Sequence, residues 1–288
     1  MDFILFIQSY SNPFLDNFFK LVTMMGEDFF IMIVVGIIFW TVNKKFAYRI
    51  AFVYLTNGVL NLSLKEIFKT QRIIGEAGIR SLRVETAGGY SFPSGHTQSA
   101  ASLWTVVMLK IKQRWFYVLA VLMMVLVGLS RIYLGVHRPV DVIFGLLIGF
   151  SWVFLGNILF DYMEKSDRRV VLIICFLILL SMAFVRNYTF YKAAGITISL
   201  LLGYMIESRY IKYSVKAPIM QQILKLFIGF SVMLIIKSGI KIVLPVSILS
   251  DFLRYFVLGL WLTVGGPYIF KKFISNRIES DNKITPSL

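Results

Sequence analysis

The sequence predicts an all-α, polytopic integral membrane helical bundle of about nine transmembrane helices. Three observations carry this. Apolar residues make up 58% of 288 and the mean hydropathy is +0.76, a composition far from that of soluble domains. Runs of about 20 mostly apolar residues, the length that crosses a hydrocarbon core, recur with short polar breaks. The period-two alternation of a transmembrane barrel is absent.

In chain order the apolar runs are 27–43, 47–68, 94–110, 115–135, 139–162, 170–186, 190–207, 218–244 and 251–271. Ahead of them, "NPFLDNFFKLVTMMG" (12–26) is too short and interrupted to span. It is expected to lie in the interface as an amphipathic segment, so that 1–26 forms an interfacial N-terminal region. The alternative is a short extra crossing that flips the N-terminus. Asp2 stands where a signal peptide has its basic region, and no small-residue cleavage site precedes Asn12 and Pro13, so no cleavable signal is expected. The runs from 27 to 162 are expected to form a catalytic helical core, 163–274 additional transmembrane helices, and 275–288 a cytoplasmic polar tail. The one long connection, 69–93, is rich in glycine and charge, as functional loops often are. Cys175, the single cysteine, lies inside an apolar run, so no disulfide shapes the fold.

The net charge of +15 could mark a nucleic-acid binder, but its distribution excludes that partner. If all nine runs cross, Lys44, Lys45 and Arg49 share a side with Lys110, Lys112 and Arg114, and with Lys165, Arg168 and Arg169. Arg209, Lys212 and Lys216 fall there too, as do Lys271, Lys272, Arg277 and Lys283. The short connections opposite hold little besides Arg138 and Arg186. The positive-inside rule makes the rich side cytoplasmic. The C-terminus is then cytoplasmic, and the source is expected to be a plasma membrane.

Three clusters converge on the outer side. Lys65 and Arg72 stand seven apart in "KEIFKTQR", on one helical face if the helix continues that far. "FPSGH" (92–96) closes the long loop and opens a helix. "SRIYLGVHRPVD" (130–141) ends one helix and opens the next. The only two histidines, His96 and His137, both lie in these clusters. Histidine gives and takes protons near neutral pH and can attack as a nucleophile. Asp141, four residues after His137, can reach back to Nδ1 and leave Nε2 as a lone pair of fixed orientation. Lys65, Arg72 and Arg131 supply charge for a multiply anionic group, with arginine's fork matching phosphate oxygens. Ser94 and Gly95 add a hydroxyl, close backbone approach and free N–H groups at a helix start. Together these describe a phosphate site with a nucleophile and a separate acid.

Lys65 and Arg72, "PSGH" at 93–96 and "SRIYLGVHRPVD" at 130–141 resemble, in order and spacing, the three signature motifs of the type 2 phosphatidic acid phosphatase family. The second and third match fully. The first departs, since the family usually has proline after its arginine and Ile73 stands here. The resemblance implies a metal-independent, cofactor-free phosphatase. In family terms His137 attacks phosphorus to form a phosphohistidine while Asp141 orients it. His96 protonates the leaving oxygen and then activates water. Lys65, Arg72, Ser94, Gly95 and Arg131 bind the phosphoryl oxygens. The expected partners are a lipid phosphate monoester as substrate and the surrounding membrane lipids. The nine-crossing layout also resembles the glucose-6-phosphatase branch of the superfamily.

Singly, these residues have plainer explanations. Asp141 could be a first-turn acid at a helix start, and Arg131 or Arg138 interfacial anchors, the preferred explanation for Arg138. The coincidence of all of them at one depth, with both histidines, favours chemistry. Lys237, Lys241, Asp251 and Arg254 are expected to pair among themselves more than to meet a headgroup. Gly265, Gly266 and Pro267 mark a kink or close packing. A polyprenyl (undecaprenyl) diphosphate or a sugar phosphate would suit the same residues. An anion or lipid transporter would instead show discontinuous midplane helices and paired repeats, which are not apparent.

Overall fold

The computed structural model describes residues 2–165 and 168–275; the expected polar tail lies, but for Ser275, outside them. The described residues are helical, with irregular connections and no strand. Two helices, α1 (Asp2–Ser9) and α2 (Pro13–Met24), precede the apolar runs. The nine runs then fold as one helix each: α3 (Asp28–Ile37, continued by a π-helical turn Ile38–Val42), α4 (Lys44–Phe68), α5 (Gly95–Ile111), α6 (Arg114–Tyr133), α7 (Pro139–Lys165), α8 (Arg168–Phe184), α9 (Tyr188–Ile206, with a π turn Glu207–Ile211), α10 (Ile219–Val243) and α11 (Ile248–Leu260, continued by further helical turns to Ser275).

Length and hydropathy separate these helices. Five of the described ones, α6, α7, α9, α10 and α11 with their continuations, are long and apolar enough to cross a membrane. Counting α2 and α3 as one span bent by 52° makes six. The sequence alone suggests about nine. The helices α5 and α8 have 17 residues each, at the short limit of what can cross a hydrocarbon core. In α4 the apolar run is diluted by Asn57, Asn61 and Lys65.

Local sequence sets the helix starts. Asn12 caps α2, its side chain accepting from Leu15 N at 2.9 Å, and Pro13 takes the first helical position, where a missing N–H costs nothing. Ser247 caps α11 through Ser250 N. Pro139 opens α7 in the same way as Pro13 opens α2.

The chain divides into two compact units. One comprises Met1–Met32 and Val53–Phe160, the other Ile33–Phe52 and Asp161–Leu288, so α3, α4 and α7 contribute residues to both. The first unit is held by small residues and amides. Gly145 and Gly149, one turn apart on α7, lie so close to α5 that a Cβ would meet Ser94 O at 2.9 Å and Gln98 O at 2.4 Å. This is the small-residue spacing that lets membrane helices approach. Buried Asn57, Asn61 and Gln98 bind one another (Gln98 Nε2 to Asn57 Oδ1 2.7 Å, Asn61 Nδ2 to Gln98 Oε1 2.7 Å) and lock α4 to the first turn of α5. Such polar contacts fix helix register where no water competes.

The N-terminal region belongs to this unit. Gln8 donates to the carbonyls of Arg80 and Tyr133 (2.7 and 2.8 Å), and Asp16 takes Arg80 and the Tyr133 hydroxyl at 2.6–2.7 Å. It therefore packs on α6 and the long loop, which amphipathicity alone does not foretell.

In the second unit, fully buried Trp40 donates to Leu262 O (3.0 Å), and Tyr213 donates to Trp40 O (2.7 Å). Buried Glu207 pairs with Lys44 at 2.7 Å and accepts from Tyr213 N. Asp251 pairs with Arg254, two of the four charges expected to pair, and also with Lys192 (3.4 Å), which lay outside that set. A π-helical turn, Trp261–Gly265, ends at the glycine pair, where packing is close: a Cβ at Gly265 would meet the Trp261 ring at 2.7 Å.

Candidate active site

Helix ends of the first unit deliver the three motifs to one place. Lys65 sits in the last turn of α4, which stops at Phe68; Lys69 adopts a left-handed φ of 46°. The helix does not continue to Arg72. Arg72 instead reaches the site from the loop, and the pair meets by chain reversal and not on one helical face. Ile73, in the place of the family's proline, is fully buried among Ile4, Ile132 and Val142 and anchors the loop beside it.

His137 lies in the short connection between α6 and α7 and is 1% exposed. Its Nε2 stands 3.0 Å from Arg72 Nη1. An arginine nitrogen only donates, so Nε2 is the acceptor and the ring proton belongs on Nδ1. That nitrogen faces Asp141 Oδ2 at 3.3 Å. The same oxygen accepts from Ser91 Oγ at 2.6 Å and Arg138 N at 2.9 Å. Burial, with the charges of Arg72, Arg131 and Lys65, pushes His137 well below the usual imidazole pKa against the opposing pull of Asp141. The acceptor role of Nε2 and the lowered pKa both favour the neutral imidazole that a nucleophile requires. Burial likewise lowers Arg72 to about 10.

The cations surround this imidazole. Arg131, in the last turn of α6, is completely buried. Its Nη1 donates to Thr23 Oγ1 (2.9 Å) and Thr86 Oγ1 (3.4 Å), while Nε and Nη2 have no hydrogen-bond partner. A buried guanidinium left so is costly unless an anion completes it. Lys65 Nζ donates to the carbonyls of Tyr90 and Ser91. Arg72 also binds the carbonyls of Gly88, Gly89, Tyr90 and Val136 at 2.9–3.2 Å, so it orders the loop as well as facing His137.

The second motif opens α5. Ser94 is buried, its hydroxyl 2.9 Å from Thr97 Oγ1 and its N–H donating to Asp141 O at 2.9 Å. At Gly95 an added Cβ would stand 3.2 Å from Asn61 Oδ1, so the position admits little more. His96 Nε2 has no hydrogen-bond partner and lies 3.9 Å from Glu27 Oε1. Among the described residues no group of three or more His, Cys, Asp or Glu is placed to hold a metal ion.

All eight residues singled out in the sequence fall within the first unit. Arg138, expected as an interfacial anchor, binds Glu76 Oε1 and Gln71 O at 2.9 Å and pins the long loop instead. Ser91, Thr23 and Glu27 escape sequence reasoning. Ser91 had one signal, its place two residues before Pro93; Thr23 lies in the region read as interfacial, and Glu27 heads the first apolar run.

Family models match two stretches: "PAP2 superfamily" over residues 46–165 and "PAP2 superfamily phosphatase, transmembrane extension" over 191–277. Phosphatidylglycerophosphatase B of Bacillus subtilis is 30% identical over 171 residues, 55% of this chain and 78% of that protein. Undecaprenyl-diphosphatase of Sulfolobus acidocaldarius is 45% identical over 64 residues, 22% of this chain and 30% of that protein. A solved transmembrane PAP2-type phosphatidylglycerolphosphate phosphatase from Bacillus subtilis shares 28% identity over 56% of this chain and 83% of its own, at a TM-score of 0.46. Matched at 30% identity across most of a Bacillus protein, and carrying its motif residues from Lys65 to Asp141 inside the matched region, this multi-pass membrane chain belongs to the PAP2 superfamily of phosphatases.

Proposed function

We propose that the protein is a metal-independent phosphatase that hydrolyses a lipid phosphate monoester through a phosphohistidine on His137. The observation that carries this is the His137 imidazole, its Nε2 facing Arg72 at 3.0 Å and its Nδ1 facing Asp141 at 3.3 Å, beside a fully buried Arg131 with two unpartnered nitrogens. His137 Nε2 attacks phosphorus while its Nδ1 proton stays with Asp141, which steadies the imidazolium that forms. Because Arg72 already holds Nε2, the incoming phosphoryl group exchanges with it: Arg72 turns from the ring to the phosphoryl oxygens. Arg131, Lys65, Ser94 and the N–H groups at Gly95 complete a cradle for the charge of the transition state. His96 gives its proton to the leaving oxygen. It then takes one from the water that cleaves the N–P bond.

The substrate class is supported by the relatives' names, each of which denotes removal of phosphate from a lipid. The Sulfolobus relative favours a second reading, a polyprenyl diphosphate substrate, served by the same residues. Loop charge supports a plasma-membrane protein with an extracytoplasmic site and a cytoplasmic C-terminus.

The test is phosphate release by purified full-length protein in EDTA. The panel comprises phosphatidic acid, phosphatidylglycerophosphate, sphingosine 1-phosphate, undecaprenyl diphosphate and glucose 6-phosphate. Release that survives EDTA and vanishes in His137→Ala is expected, with a lipid monoester preferred. A folded protein that releases nothing from any of them sinks the proposal.

A further inference from the structure

The elbow between α2 and α3, "TMMGE" at 23–27, makes three separate contacts with the site. Thr23, itself fully buried, accepts from Arg131 Nη1 at 2.9 Å. Gly26 presses so closely on α5 that a Cβ would meet His96 O at 2.6 Å and His96 Cβ at 3.1 Å; any other residue would force elbow and histidine apart. Glu27 then places Oε1 3.9 Å from His96 Nε2, on the nitrogen that lacks a hydrogen-bond partner. Arg83, from the long loop, meets the same carboxylate oxygen at 2.9 Å and donates to Lys20 O at 3.1 Å, tying the end of α2 to the loop.

The charges around His96 make this placement matter. Arg131 on α6 and Arg83 on the long loop are cationic and disfavour a second positive charge on the imidazole; Glu27 is the anion that faces it. Burial and Arg131 together depress the imidazole even with Glu27 in place, and Glu27 is the group that opposes them; without that carboxylate the proton is harder still to hold, until a bound phosphate adds its own negative charge. A general acid for an alkyl phosphate must hold that proton, because an alkoxide is too basic to leave unaided.

We propose that Glu27 is the positioning residue for His96: beside Nε2 it fixes the ring at the site and favours the proton that the imidazole passes to the leaving oxygen once phosphate is bound. The inference rests on the phosphatase mechanism above. As the His137 Nε2–P bond forms and the P–O bond to the alcohol breaks, the proton on His96 Nε2 moves to the departing oxygen. When water attacks, the O–P bond forms, the N–P bond breaks, and His96 Nε2 takes the water's proton, restoring the pair with Glu27. The elbow thereby makes the N-terminal region part of the catalytic apparatus.

The experiment compares two leaving groups. Purified full-length wild type, Glu27→Gln and Glu27→Asp are assayed on an alkyl phosphate (phosphatidic acid) and on p-nitrophenyl phosphate, whose phenolate departs without a proton. Glu27→Gln is expected to lose about 10²-fold in kcat on the alkyl ester, the low end of general-acid effects, and under about 3-fold on the aryl ester. Retained aryl activity also shows that the variant is folded. Glu27→Asp keeps the charge but withdraws it from Nε2, and is expected to show the same selectivity in weaker form. It carries the test if Glu27→Gln does not fold. Equal losses on both esters, or no loss on either, overturn the proposal, since a merely structural glutamate cannot discriminate between leaving groups. Wild type inactive on both esters would sink the phosphatase mechanism itself, and the role of Glu27 with it.

Discussion

The two units of this chain bury charge in opposite ways. In the second, buried or half-buried ions are matched: Glu207 with Lys44, Asp161 with Arg49, Asp251 with Arg254 and Lys192. Lys225 departs from this pattern: fully buried, it is met by the Tyr213 ring at 5.0 Å and the Val215 carbonyl and not by a carboxylate. In the first unit Lys65, Arg72 and Arg131 stand around one imidazole with Asp141 as the nearest acid, and Arg131 keeps two nitrogens without partners. Like charges gathered in a buried site raise its energy. A fold tolerates this where a ligand supplies the missing anion, whereas charges that only hold helices together are neutralised within the protein.

That contrast can be broken most decisively at His137. His137→Ala is expected to lower phosphate release at least about 10³-fold while leaving the thermal unfolding midpoint within a few degrees. A large fall in the midpoint would make the histidine structural. Next, Arg131→Met is expected to cost about 10²- to 10³-fold in kcat, as loss of one transition-state donor does elsewhere. Stability should be unchanged or raised, because a desolvated and incompletely paired cation is gone. Unfolding of the variant at lower temperature would place Arg131 with the matched charges instead.

The second unit should answer in reverse. Glu207→Gln leaves Lys44 without its anion, and unfolding in detergent is expected to become easier by about 2 kcal/mol, below the full cost of breaking a buried pair because Lys44 is partly exposed. Activity per folded molecule should stay within about twofold, given that surface and structural substitutions rarely touch chemistry. A smaller effect sharpens the electrostatics of the first unit. Arg72 is among the charges that depress His137, so Arg72→Gln raises that pKa. Because the neutral imidazole attacks, the acid limb of the pH profile of kcat/KM is expected to move to higher pH, over and above a general loss of rate. A limb that stays put, or moves to lower pH, would remove Arg72 from the field at His137. Smallest of all, Glu76→Gln, which leaves Arg138 held to the long loop only through Gln71 O, is expected to change KM only a few-fold, in keeping with a half-exposed ion pair.

Much of this was legible in the sequence, for identifiable reasons. Apolar run length fixes helices directly, so each of the nine marked runs coincides with one helix to within a few residues. His137 and Asp141 are four apart at a helix start, a spacing that carries its own geometry. The path from Lys65 to Arg72 was not legible, because a single left-handed residue, Lys69, ends α4 before Arg72 and nothing in "KTQR" announces it. The elbow was hidden for a different reason. Thr23 and Arg131 lie 108 residues apart, and amphipathic periodicity in α2 says that one face is covered without saying by what. Glu27 at the head of an apolar run looks like an ordinary helix-start acid; only its distance to His96 separates it from one. The number of runs that cross the membrane is likewise less determined than their helicity, since hydropathy and length qualify five described helices, or six with the bent pair.

Asp141 faces two motifs at once. Its carboxylate holds His137, while its main-chain carbonyl accepts the N–H of Ser94 at 2.9 Å. The nucleophile and the strand of chain that carries the leaving-group acid are thus surveyed from a single benchmark. An exchange at 141 erases one half of that benchmark and spares the other. Asp141→Asn keeps the peptide link and removes the charge, so His96 should remain at its station while His137 loses its bearing. The two halves of the reaction, bond making and proton delivery, can in this way be put out of step by a change of one atom.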